Sequence, residues 1–194
     1  MRVHEMIQLF YPQYYSIETY PANRTIRIHK IDEEWGVFSN FAHTPVEVNG
    51  VSFDTTERLF QVLKMATPEA QKMVYEKKGN PKMTAKHIQK EHPEWIREDW
   101  PRIIVDAMKF CLRTKYEQCE MFRNELERSK GFYIVEDQTS FSKRNADTWG
   151  AKLVGEQYVG PNLLGRLLME LREQKNLDYT FPPVFSISIA SSSI

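Results

Sequence analysis

The sequence predicts a single mixed domain, mainly helical with a few short strands. Three observations carry this. From Thr67 to Lys130 the chain reads as a succession of helices separated by turn residues. Val46-Glu47-Val48-Asn49-Gly50-Val51-Ser52-Phe53 places Asn-Gly between alternating apolar residues, the strongest short-range hairpin signal, because both turn positions need positive φ. A chain of 194 residues is long enough to bury one good core.

Taken in order, residues 1–24 are mixed and aromatic-rich, broken by Pro12 and Pro21, and form an extension with no firm assignment. Thr25–Ile31 alternates apolar and polar residues and predicts a half-buried strand. Trp35-Gly36-Val37-Phe38-Ser39-Asn40-Phe41-Ala42 sets small polar groups among aromatics. Such a segment either stacks a planar ligand and bonds its edges or is a core strand ending in a turn.

The hairpin runs into Thr55-Thr56-Glu57-Arg58-Leu59-Phe60-Gln61-Val62-Leu63-Lys64-Met65-Ala66, around which the rest is organised. Leu59, Val62, Leu63 and Ala66 make one buried stripe, and Thr55 or Thr56 caps the start. Glu57, Gln61 and Lys64, at i, i+4 and i+7, share the opposite face. That face is either a solvated surface held by side-chain pairs or a carboxylate, an amide and an amine lined up over a ligand.

Thr67-Pro68-Glu69 starts the next helix, and Gly79-Asn80-Pro81 ends it and starts another. Asp99-Trp100-Pro101 opens a longer helix with Ile103, Ile104, Ala107, Met108, Cys111 and Leu112 in helical period. A further helix, Glu117 to Lys130, stops at Gly131, and Phe132–Val135 follows as a short buried strand. Asn145–Gly150 reads as a loop combining an acid with a Trp. After Gly160-Pro161-Asn162 comes a helix burying Leu163, Leu164, Leu167, Leu168 and Leu171, with free polar atoms expected on Asn162 near its positive end. Gly165 inside that helix marks close packing or close ligand approach. Residues 179–194, with Pro182-Pro183 and a low-complexity end, predict a loosely held tail.

Twenty-six basic and 26 acidic residues cancel, so no general positive field holds a nucleic acid, and a phosphate-bearing ligand needs a local pocket. Cys111 and Cys119 read as buried reduced thiols, and the five histidines show no zinc spacing, so no metal is expected. The N-terminus lacks a signal-peptide pattern and no run is long enough to span a bilayer, which predicts a cytoplasmic protein with no membrane partner.

Phe38-Ser39-Asn40-Phe41-Ala42, Thr55-Thr56-Glu57 with Phe60-Gln61 and Lys64, Trp149-Gly150, and Gly160-Pro161-Asn162-Leu163-Leu164-Gly165 with Leu168-Met169-Glu170-Leu171-Arg172 form an ordered set. The set resembles the NADAR superfamily, also described as YbiA-like N-glycosidases. The resemblance implies an α+β fold over residues 25–178, mainly helical with a small antiparallel sheet. It implies cleavage of a ribose C1′–N bond without a cofactor. The substrate is a small phosphoribosyl or ADP-ribosyl compound: a phosphoribosylamino-pyrimidine intermediate of riboflavin synthesis, or ADP-ribose on guanine, including ADP-ribosylated nucleic acid. A non-catalytic ADP-ribose- or nucleotide-binding module and a plain helical interaction domain are the readings without catalysis. In the family pattern an acid often stands three residues before the Trp. Here Ala146 holds that place and Asp147 lies two before Trp149, so the loop presents Asp147, or Asn145 or Glu57 covers its role.

Breaking a C1′–N bond passes through an oxocarbenium-like sugar, which needs nearby negative charge, activated water and help for the leaving base. Glu57 is the candidate charge and general base, with Asp147 as a second acid. Lys64 holds a phosphate, protonates the leaving nitrogen, or attacks C1′ of a ring-opened sugar as a neutral amine. Gln61 orients water or a sugar hydroxyl. Trp149, with Gly150, stacks the base or closes the pocket. Ser39, Asn40 and Phe41 contact ribose or base edges, while Asn162, Gly165 and the helix start behind Gly160 meet an anionic group. Trp100, Arg102 and Lys115 are weaker candidates for the pocket wall.

Overall fold

The computed structural model describes residues 1–181. They run in the order α1 (Val3–Phe10), β1 (Glu18–Pro21), β2 (Thr25–Ile28), β3 (Val46–Val48), β4 (Val51–Phe53), α2 (Thr56–Leu63), α3 (Pro68–Glu76), α4 (Pro81–Glu91), α5 (Trp100–Gln118), α6 (Glu120–Arg128), β5 (Tyr133–Glu136), β6 (Lys152–Val154), β7 (Gln157–Gly160) and α7 (Leu163–Gln174). The chain is thus helix-rich with small sheets. It divides into two compact units, Met1–Ala42 with Glu120–Leu177, and His43–Cys119 with residues 178–181.

In the first unit, β1, β7 and β6 form a three-stranded antiparallel sheet, with Glu18 opposite Gly160 and Lys152 opposite Val159. Residues 1–24, unassigned from the sequence, are therefore built into this unit. Their polar atoms tie them to α7: the Tyr14 hydroxyl donates to Glu170 at 2.6 Å, and Arg166 donates to the Gln13 carbonyl at 2.6 Å. β2 pairs with β5 in parallel, Thr25 beside Tyr133, so the strand elements are not all antiparallel. The strand pattern at 25–31 ends early, at Ile28.

Trp35–Ala42 is not a strand. It opens with a 3-10 turn at Gly36–Phe38, where a Cβ on Gly36 would lie 2.2 Å from the Ile31 carbonyl oxygen. Arg128 stacks over Trp35 at 3.9 Å, Trp35 over Phe38 at 5.6 Å, and Phe38 meets Phe122 edge-on at 5.9 Å. That ladder fixes the turn against α6. α7 packs its five leucines, all buried, and Gly165 brings it close to β5.

In the second unit the hairpin β3–β4 forms as expected, with Asn49 and Gly50 at φ 53° and 77°. α2 follows it, capped by Thr55, whose hydroxyl accepts from the Arg58 amide at 3.2 Å. Thr67 and Asn80 cap α3 and α4, each with Pro at the first turn. α2 lies against α3, α4 and α5. Arg58, buried within α2, donates to the carbonyls of Val74 and Lys77 at 2.9 and 3.0 Å and is paired with Asp54 at 2.7 Å. It satisfies the otherwise orphan acceptors where α3 ends and so sets the point from which α4 departs. Of the tail, Tyr179 and Phe181 pack on Phe110 of α5 at 5.4 Å; residues 182–194 lie outside the described residues. No helix among the described residues is long and apolar enough to cross a membrane.

Candidate active site

α2 has no solvated face. Every residue from Thr56 to Leu63 is buried, including Glu57 and Gln61, each 6% exposed. A carboxylate is almost never buried without a specific partner. Here Gln61 Nε2 donates to Glu57 Oε1 at 2.8 Å, the i, i+4 geometry of one helical face. Burial holds the Glu57 carboxyl above the usual carboxylate range; the Gln61 bond, Lys82 and Lys64 act the other way. Its field also reaches Cys111 on α5, whose thiol burial has already pushed up.

Lys64 sits at the C-terminal end of α2, and its Nζ donates to Gln89 Oε1 of α4 at 2.7 Å. Burial brings this amine down to about 8, assisted by the neighbouring Lys86 and Lys82 and opposed by Glu57. Its backbone is held as well. The Lys64 carbonyl accepts from the Arg97 amide, and Met65 pairs with Ile96 in an isolated antiparallel bridge. The second unit therefore assembles a protonation-prone buried carboxylate, its amide partner, and an amine that gives up its proton easily.

The sequence reading missed α4's share. Lys82, Lys86 and Gln89 repeat the i, i+4, i+7 spacing of Glu57, Gln61 and Lys64. Lys82 acts on Glu57, and Lys86 and Gln89 act on Lys64, so the two stripes run side by side in the same direction. The spacing was present in the sequence; the pairing of α2 with α4 was not.

Trp100 is a core residue rather than a pocket wall. It is 4% exposed, and its indole lies against Phe60 at 5.2 Å. Lys115 is wholly buried in α5, and burial lowers its amine to about 7. Cys111 is buried, as expected, whereas Cys119 is only half-buried; both are free thiols.

In the first unit the expected polar groups are largely committed to the fold. Asn162 is not a free amide at a helix start: it is fully buried with φ 50°, its Nδ2 donates to the Ile134 carbonyl at 2.9 Å, and its Oδ1 accepts from the Glu136 amide at 3.1 Å. The first amides of α7 are not open to an anion either. Leu163 and Leu164 donate to the carbonyls of Thr148 and Trp149, both at 3.1 Å. Gly165 is a packing glycine, since a Cβ there would lie 2.1 Å from the Ile134 oxygen, and one on Gly150 would lie 2.4 Å from the Glu136 oxygen.

Asp147 is exposed, and its Oδ1 accepts from Gln138 Nε2 at 2.6 Å and from the Trp149 amide at 2.9 Å. Gln138 Oε1 accepts in return from the Asp147 amide at 2.8 Å. These bonds make Asp147 a brace of its own loop. Asp147 thus holds the Trp149 amide, and the Leu164 amide holds its carbonyl, while the indole stays half-buried. Ser39 Oγ accepts from the Phe41 amide at 3.2 Å, Asn40 is buried, and Phe41 is half-buried. A cavity of about 630 Å³ in this unit, walled by Arg27, Trp35 and Tyr158 among others, includes none of these residues. Its lining cation Arg27 is occupied by Glu33 and Asp137, and its lining residues Glu34 and Trp35 are engaged by Arg128. Among the described residues no cluster of three His, Cys, Asp or Glu side chains is arranged to hold a metal.

Comparison with known proteins places this architecture. The model of the NADAR domain family matches residues 28–175. N-glycosidase YbiA of Escherichia coli is 30% identical over 149 residues, 77% of this chain and 87% of that protein. A riboflavin biosynthesis protein of Vibrio vulnificus is 27% identical, over 82% of this chain and 41% of its own length. A chloroplastic riboflavin biosynthesis protein of Zea mays is 31% identical, over 77% and 25%. The NMR structure of Escherichia coli YbiA superposes with a TM-score of 0.62 at 30% identity, covering 78% of this chain and 84% of that one.

Proposed function

Because this chain belongs to the NADAR family, we propose that it is an N-glycosidase that hydrolyses the bond between ribose C1′ and an exocyclic nitrogen. Its substrate in this reading is a phosphoribosylamino-pyrimidine of the riboflavin route. The observation that carries the reading is the buried pair Glu57–Gln61 with the low-pKa amine of Lys64 on the same helical face. The names of the relatives support it: one is an N-glycosidase, and two are riboflavin biosynthesis proteins.

An exocyclic C1′–N linkage can open to a C1′ imine with a free 4′-hydroxyl. With an amine at about 8, about a tenth of Lys64 is neutral at pH 7. Its lone pair adds to C1′. The pyrimidine amine then leaves with the electron pair of the broken C1′–N bond and a proton donated by Glu57, which burial keeps protonated to a higher pH than an ordinary carboxyl. Glu57, now ionised, takes a proton from water as the hydroxide adds to the Lys64–C1′ imine. The C1′–Nζ bond breaks, giving the aldehyde of the sugar phosphate and the free amine. Gln61 holds Glu57 in place throughout.

A mass-spectrometric assay with two substrates tests this. One is the phosphoribosylamino-pyrimidine, the other a short DNA carrying ADP-ribosylated guanine. Release of free pyrimidine and ribose phosphate from the first is expected. Release of ADP-ribose from the second alone would replace the substrate assignment, and silence on both with clear binding would replace the enzyme by a binding module.

A further inference from the structure

Lys82 and Lys86 have no role in the chemistry just described, yet they flank it. Both are exposed on α4, on the same side as Gln89, which is anchored on Lys64 at 2.7 Å. Pro81, Thr84, Ala85 and Ile88 make the buried stripe of α4, so positions 82, 86 and 89 border it along the rim facing α2. The charge here is local. From residue 72 to residue 90 the chain carries six lysines and one glutamate, in a sequence whose total charge is zero. Arg58 fixes the α3–α4 turn through the carbonyls of Val74 and Lys77, and the Asn80 side chain caps the amides of Lys82 and Met83, so the start of this rim is held by side-chain hydrogen bonds.

We propose that Lys82 and Lys86 form an anion subsite that takes the phosphate monoester of the sugar, leaving the Lys64 amine for C1′. This rests on the N-glycosidase reading for the identity of the sugar, but not for the presence of the subsite. Two flexible ammonium groups one helical turn apart suit a terminal phosphate, which presents oxygens in several directions. Lys64 cannot serve the anion as well, because a cation committed to phosphate cannot supply a lone pair. Lys82 acts on Glu57 and Lys64 of α2, Lys86 acts on Lys64, and Gln89 of α4 is bonded to Lys64; Glu57, the acid of this set, is shifted toward its neutral form.

The test is calorimetric titration of the full chain with ribose 5-phosphate, ribose and ADP-ribose, using Lys82→Gln, Lys86→Gln and the double variant. Lys90→Gln, whose lysine is exposed and paired with Glu91, is the control. Surface substitutions of this kind leave folding nearly unchanged. Ribose 5-phosphate affinity should fall at least tenfold in the double variant, with ribose binding and the control unaltered. Unchanged affinity of the double variant for both ribose 5-phosphate and ADP-ribose, or equal binding of all three ligands by the parent chain, overturns the subsite. A loss confined to ADP-ribose overturns its assignment to a monoester in favour of a pyrophosphate. Binding is read without turnover, so the two ideas fail separately. An inactive chain with lysine-dependent phosphate binding defeats the N-glycosidase, and an active chain with lysine-independent binding defeats the subsite.

Discussion

Gln61 Nε2 lies 2.8 Å from Glu57 Oε1, and both side chains are buried on one face of α2. A buried carboxylate is tolerated when it is bonded and when it holds its proton more readily than an exposed one; Gln61 supplies the bond, and burial shifts Glu57 toward its protonated form. Glu57→Gln keeps the shape and removes the acid. Turnover should fall at least about a hundredfold, the scale of a positioned acid–base group. The thermal unfolding midpoint should not drop, since no ionisable group remains at this buried position to be desolvated. A variant with near-parental turnover would take Glu57 out of the mechanism.

Lys64 gives a kinetic signature whose direction separates its possible jobs. If the neutral amine attacks C1′, the residual kcat/KM of Glu57→Gln, freed of the ionisation of the Glu57 acid, rises with pH through about 8, where the amine loses its proton. An amine that only holds phosphate would make the profile fall through the same range. The rising limb is expected, and sodium borohydride during turnover should leave a reduced sugar adduct at Lys64. Lys64→Ala should lose both the adduct and at least about a hundredfold in rate.

How far the sequence carried this picture depends on the range of the interaction. The Asn49-Gly50 turn, the caps at Thr55, Thr67 and Asn80, and the leucine face of α7 are set by neighbours a few residues away, and their residue types announce them. The polar stripe of Glu57, Gln61 and Lys64 was legible as a stripe, but its burial was not. That comes from α4 and α5 closing over α2, which no local pattern encodes. The same limit hid β1, whose partner β7 is far along the chain, and the parallel pairing of β2 with β5. Asn162 misled for a related reason. An Asn at a helix start is ordinarily a cap or an anion contact, and only the structure shows its amide turned onto β5.

Lys115 offers a stability test independent of catalysis. Its amine is brought to about 7 in the folded chain, and that of Lys64 to about 8, against 10.5 when exposed. The unfolded chain therefore binds more protons over this range. Both groups favour the fold above about pH 10.5, and that contribution is lost as pH falls through about 8 for Lys64 and about 7 for Lys115. Urea titrations should show the unfolding free energy rising from pH 7 to pH 10. Lys115→Met should flatten that rise by on the order of 3 kcal/mol. Parallel curves for the two chains would mean that Lys115 is charged in the folded state at neutral pH.

Asn162 separates packing from recognition at the start of α7. Its amide spans the edge of β5, donating to the Ile134 carbonyl and accepting from the Glu136 amide, and its own backbone is left-handed, a conformation Asn tolerates better than most residues. Asn162→Asp keeps the size, the left-handed preference and the bond from Glu136. It replaces the donor facing Ile134 with an oxygen, setting two acceptors against each other in a fully buried position. The loss should be about 2–4 kcal/mol, the cost of a buried unsatisfied group with added charge repulsion. Because Leu163 and Leu164 also hold the Thr148 and Trp149 carbonyls, loosening the start of α7 should raise amide exchange in residues 147–151 as well as in α7 itself. A substrate contact predicts a different result: an unchanged unfolding midpoint with a raised KM. The buried, doubly bonded amide favours the first outcome, and thermal unfolding with hydrogen exchange on this one variant distinguishes the two.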